Sequence, residues 1–149
     1  MPHKLTFMPY ILLALLLGVF LTVQLGINNT LKAAMNAPIW TAFVSSLVGV
    51  SALFIAGLIS RTPFPTKVDV PAWAWTGGLL GAVYVVLSIV LVDKIGAATL
   101  TGCVVAGQIT VSLVLDHFGW LHVPQHPISS GRLAGALLLG LGVWLVKRF

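Results

Sequence analysis

Positions free of Asp, Glu, Lys and Arg fall into five long apolar blocks, residues 5–31, 33–60, 70–92, 95–115 and 133–146. Each of the first four holds at least 21 residues, enough at about 1.5 Å per helical residue to cross a hydrocarbon layer roughly 30 Å thick. The fifth has 14, and it crosses if its helix begins earlier, within 127–131, with Arg132 snorkelling toward the head groups. The pattern predicts an all-α integral membrane protein. Its five transmembrane helices cover about 6–31, 38–60, 71–92, 95–116 and 129–147, in a single transmembrane domain over 1–149.

The connections agree with this division. Between the second and third blocks, Arg61-Thr62-Pro63-Phe64-Pro65-Thr66-Lys67 combines two prolines and two cations, which stops a helix. Trp73 and Trp75 follow as interfacial anchors. Asn36-Ala37-Pro38 reads as one turn and Asp93-Lys94-Ile95-Gly96 as another, and Asp116 to Ser130, with Pro124 and Pro127, is the longest loop. The first block exceeds a signal-peptide core and lacks a clean small-x-small cleavage site, so it reads as a retained helix.

Composition narrows the function. The chain is 58% apolar and 7% charged, with a mean hydropathy of +1.06, against about 25% charged in soluble domains. Its three acidic residues are all Asp, too few for ordinary two-carboxylate catalysis. The eight Lys and Arg are scattered instead of forming a basic stripe, which argues against nucleic acid as a partner. Cys103 is the single cysteine and cannot form an intrachain disulfide. Asp116, His117, His122 and His126 are the one group of potential metal ligands, but Pro124 keeps His122 and His126 off a shared helical face. They read as solvated loop histidines instead of a metal site. With no Ser-His-Asp context, phosphate loop or nucleophile elbow either, the expectation is a non-enzyme without cofactor or metal.

Cations set membrane orientation. Five spans place Lys4, Arg61, Lys67 and Arg132 on one side and Lys32, Lys94, Lys147 and Arg148 on the other. A chain balanced in this way has little reason to prefer one insertion direction, so copies are expected to insert both ways and pair as an antiparallel homodimer. Many transporters bind substrate between two inverted halves. Two inverted chains supply both.

Polar side chains inside the spans mark helix contacts or a cavity. Gln24 and Asn28 share a face at i, i+4, with Thr22 and Asn29 nearby; the alternative to cavity lining is interhelical hydrogen bonding, about 0.6 kcal/mol on average. The second block carries a stripe of small residues through Thr41, Ser45, Gly49, Ala52 and Ala56, which reads as packing. In the third, Trp73, Gly77, Gly81, Tyr84 and Ser88 fall on one face, and the Tyr84 hydroxyl needs a neighbouring helix or a wet cavity. In the fourth, Thr101, Gln108 and Ser112 align beside Gly102, Ala106 and Gly107. Gln108 offers an amide near the membrane centre that either binds a polar solute or locks helices together. Gly135, Gly140 and Gly142 fit packing or dimer contact. No Asp, Glu, Lys, Arg or His lies well inside a span, so a proton-driven cation exchanger lacks its usual carboxylate.

Three passages resemble the five-helix YdcZ-type family of the drug/metabolite transporter superfamily. They are Gln24-x3-Asn28-x2-Leu31 running to Pro38, with Ser45, Ser46 and Gly49 beyond; Trp75-x-Gly77-Gly78-x2-Gly81-Ala82-x-Tyr84; and Gly107-Gln108-x3-Ser112-x3-Asp116-His117-Phe118-Gly119. The last is the most specific and continues in register as Pro127-x-Ser129-x2-Arg132-x2-Gly135. The resemblance implies a multi-pass protein of the bacterial inner membrane, half the size of ten-helix exporters built from two inverted halves. It also implies that helices one to four surround a central cavity while helix five is peripheral or assists dimerisation. Smaller four-helix relatives use a first-helix glutamate where Gln24 stands here, which speaks against cation-proton exchange.

The expected function is therefore a small-molecule transporter that works by alternating access as an antiparallel dimer. Its solute is neutral, zwitterionic or aromatic. Gln24, Asn28 and Gln108 bind it, Trp75 and Tyr84 wall it, and Gly49, Gly77, Gly81, Gly135, Gly140 and Gly142 serve helix packing or the dimer. The alternative is a non-transporting scaffold or accessory subunit in which the same amides and glycines only join helices.

Overall fold

A computed structural model describes residues 8–149; Lys4 and the expected helix start at residue 6 lie outside them. The helices are α1 (Met8–Met35), α2 (Pro38–Ile59), α3 (Gly77–Ile95), α4 (Ala97–Phe118) and α5 (Ser130–Arg148), with short 3-10 turns at Ala72–Thr76 and Trp120–His122. There is no strand among the described residues. All five helices, α3 counted with its 3-10 turn, are long and apolar enough to cross a membrane. This is a five-helix membrane protein.

The ends depart from expectation by a few residues, each for a local reason. α1 continues past Leu31 through Lys32, Ala33 and Ala34, because alanine is the strongest helix former and a lysine in the last turn is favoured by the helix dipole. It stops at Asn36, whose φ of 48° is left-handed, a conformation asparagine tolerates better than most residues. Pro38 then begins α2 at a position where its missing N–H costs nothing. α3 absorbs Asp93 and Lys94 and breaks at Gly96, φ +78°, which a residue with a Cβ rarely adopts. α4 ends on Gly119, also left-handed, with its N–H donating to the Leu115 carbonyl.

By packing, the chain divides after Val92 into two compact units. In the first, α1 and α2 form a hairpin beside the tight turn at Asn36. Thr41 is fully enclosed there, and its hydroxyl donates to the Ala37 carbonyl at 3.0 Å, so its burial leaves no orphaned polar group. Leu25, Ala42 and Ile89 are the buried apolar residues of this unit.

In the second unit α4 packs along α5, and Gly102 makes the approach possible: a Cβ placed on it would stand 3.0 Å from Val143 Cγ2. Below this contact, the 116–132 loop is clasped. The Arg132 guanidinium donates to Asp116 Oδ2 at 2.6 Å and to the His126 carbonyl at 2.8 Å. The His126 N–H donates to the Asp116 carbonyl at 2.7 Å, and the Gln125 amide to the His117 carbonyl at 2.9 Å. Ser129 caps α5 by accepting from the Arg132 N–H. Arg132, expected to snorkel alone, is thus tied back to the end of α4. The pair is partly exposed, 36% for Arg132 and 20% for Asp116, which moderates its worth. Asp116→Ala is expected to lower stability by about 1–2 kcal/mol, read as an earlier unfolding midpoint in detergent. An unchanged midpoint would mean the clasp is decorative.

Candidate functional site

The first unit holds a narrow cleft between α1 and α3, lined by Leu21, Gln24, Leu25 and Asn28 on one side and Tyr84, Val85 and Ser88 on the other. Helix periodicity builds it. Leu21, Gln24, Leu25 and Asn28 follow the i, i+3, i+4, i+7 stripe of α1, while Tyr84 and Ser88 are one turn apart on α3. The cleft has room for about 10 Å3, the space of one water molecule. Asn28 and Ser88 are buried in its walls; Gln24 and Tyr84 are exposed at its margin.

Three of the five expected solute contacts, Gln24, Asn28 and Tyr84, therefore line the same cleft. Trp75 lies elsewhere in this unit, in the 3-10 turn that precedes α3, and is exposed. Gln108 belongs to the second unit, exposed on α4. Neither Gln108 nor Tyr84 makes a hydrogen bond among the described residues, in contrast to the hydroxyls of Thr22, Thr30 and Thr110, which donate to carbonyls one turn back on their own helices at 3.1, 3.1 and 2.8 Å. Those threonines are satisfied locally. The amide and phenol are left for something outside their own helix.

Sequence reasoning placed Ser88 on the Tyr84 face but did not select it as a contact. Its i+4 spacing from Tyr84 was the available signal; its burial opposite Asn28 depends on how α1 and α3 meet, which no single-helix pattern encodes.

The six glycines expected to serve packing or the dimer, Gly49, Gly77, Gly81, Gly135, Gly140 and Gly142, share one property: a Cβ on any of them would meet nothing within 4 Å. Gly102 is the contrasting case, filled by Val143. The second unit also has an apolar groove of about 430 Å3 along α4 and α5, floored by Ala98, Gly102, Ala106 and Gly142 and flanked by leucine and valine. No three His, Cys, Asp or Glu side chains converge among the described residues. His117 instead accepts the Ile128 N–H on Nδ1 at 3.2 Å.

Comparison with known proteins places this geometry in a family setting. The family model described as "Putative inner membrane exporter, YdcZ" matches residues 9–145. The curated "Inner membrane protein YdcZ" of Escherichia coli (strain K12) is 34% identical over 136 residues, covering 88% of this chain and 89% of the relative. No solved structure matches.

Proposed function

The chain belongs to the YdcZ family of inner-membrane exporters, a multi-pass protein of the inner membrane with a transporter's affiliation, and from that premise we propose how it transports. Two copies insert in opposite directions and pair as an antiparallel homodimer. A small neutral, zwitterionic or aromatic solute binds near the midplane to Gln24, Asn28 and Gln108, with Tyr84 and Trp75 as aromatic walls. Rocking of one copy against the other exposes the site to each side in turn. No carboxylate lies well inside a span, so facilitated diffusion or solute exchange fits better than tight proton coupling.

One observation carries this reading: a single chain buries very little of itself. The most apolar stretch of each span is between 0 and 11% buried, and the six open glycines sit on faces nothing in the chain fills. In lipid, small residues let helices approach closely and gain dispersion contacts; a second copy supplies the missing partner. Gly140→Leu tests this. The leucine meets nothing within its own chain, so the monomer is expected to insert and fold while the dimer fraction in mild detergent drops at least fivefold by cross-linking. A wild-type protein that is already monomeric, or a variant that dimerises as before, would count against the proposal.

A further inference from the structure

Two polar side chains in the first unit are more than nine-tenths buried without a hydrogen-bond partner among the described residues: Asn28, 5% exposed, and Ser88, 8% exposed. Buried polar groups are ordinarily paired, and an exception calls for a cause. No fully enclosed side-chain nitrogen or oxygen among the described residues lacks a partner. The Asn28 amide and Ser88 hydroxyl must therefore keep an opening, and the opening they share is the cleft they both line.

The shape and chemistry of that cleft select its occupant. Its roughly 10 Å3 admits one heavy atom with its hydrogens. Leu21, Leu25 and Val85 supply apolar walls, and none of the lining residues carries a charge. An ammonium or a carboxylate would enter without a counter-ion, at a high desolvation cost. A carbonyl oxygen only accepts, whereas a primary amide and a hydroxyl each both donate and accept. The group that satisfies both from one position is itself a donor and an acceptor, and uncharged.

We propose that Asn28 and Ser88 form a seat for a single hydroxyl group, held by water in the resting protein and by a hydroxyl of the transported solute when one binds. This rests on the carrier reading above and narrows it to uncharged, hydroxyl-bearing solutes. Ser88 becomes a specificity-determining residue, and Gln24 and Tyr84 at the margin contact the rest of the molecule. Asn28 and Ser88 are unpaired in the chain because their partner arrives from outside it.

The test uses the full-length, 15N-labelled protein in detergent micelles, with benzyl alcohol and toluene as probes of similar size that differ by the hydroxyl. Magnetisation transfer from water to the Asn28 side-chain amide reports the resting occupant. In the wild type that transfer is expected, benzyl alcohol should abolish it saturably, and toluene should do so at least tenfold more weakly. Ser88→Ala removes one partner without adding volume and should weaken the benzyl alcohol response about tenfold; Ser88→Thr, which adds a methyl group to the cleft, should remove the water signal. An Asn28 amide that receives nothing from water, or that responds alike to both probes, overturns the seat. A chain that stays monomeric yet shows the hydroxyl-selective response sinks the carrier reading and leaves the seat standing, and a dimer with a dry Asn28 does the reverse.

Discussion

A reporter fused after Phe149 is expected to give signal from both faces of the inner membrane in comparable amounts. The reason is the four-against-four division of Lys and Arg between the two sides of the five-helix bundle. Insertion direction follows the cation bias of short flanking segments, with acidic residues contributing little, so the Asp116 partner of Arg132 does not change the count. Removing two charges should break the balance in a known direction. In Arg61→Gln/Lys67→Gln the division becomes two against four, and the C-terminal side should become cytoplasmic in most molecules. In Lys147→Gln/Arg148→Gln it becomes four against two, and the C-terminus should move to the opposite face. Neither pair lies inside an apolar block, so the change acts on orientation and not on packing. Each fixed variant expressed alone has only parallel copies to meet and should lose the dimer; expressed together, they should recover it. A wild-type reporter that reads from one face alone would end the antiparallel model at its first step.

Much of this fold was legible because the bilayer imposes one strong rule: every backbone polar group in hydrocarbon must bond internally, so long uncharged runs become helices. Asn36 and Pro38 punctuated the first hairpin for reasons already local, a tolerated left-handed residue followed by a fixed φ. Gly96 and Gly119 did the same around α4. The 3-10 opening of α3 and the absorption of Asp93 into its end were not legible. They depend on a turn or two of helix whose cost is small enough for surroundings to decide.

The site divided along the same line. Gln24, Asn28 and Tyr84 could be placed on their faces by periodicity, and those faces do meet in one cleft. Ser88 escaped selection because a serine in a membrane helix ordinarily bonds its own backbone, as Thr22, Thr30 and Thr110 do here. Only the approach of α3 to α1 shows that Ser88 is buried without a partner. The Arg132 clasp was hidden for a related reason: Asp116 and Arg132 stand 16 residues apart, and the loop between them folds through left-handed Leu121 and His122, positions that propensity alone would not assign.

Gln108→Ala is expected to insert and dimerise as the wild type does while reducing flux of a labelled uncharged polyol into proteoliposomes about tenfold. The size follows from the loss of one hydrogen bond to a desolvated solute, about 1.4 kcal/mol, if that bond is made in the transport barrier as well as in the bound state. Two residues away, Thr110 supplies the control. Its hydroxyl already donates to the Ala106 carbonyl at 2.8 Å, so it has no free donor to offer a solute, and Thr110→Val should transport at the wild-type rate. Both residues are exposed on α4, so both variants change one exposed position on the same helix. They differ in whether the side chain is already committed to its own helix. Equal loss in both would point to disturbed helix packing, and no loss in either would mean that the amide of Gln108 has no part in carrying solute. A selective loss in Gln108→Ala would identify that amide as a contact the solute makes on its way across.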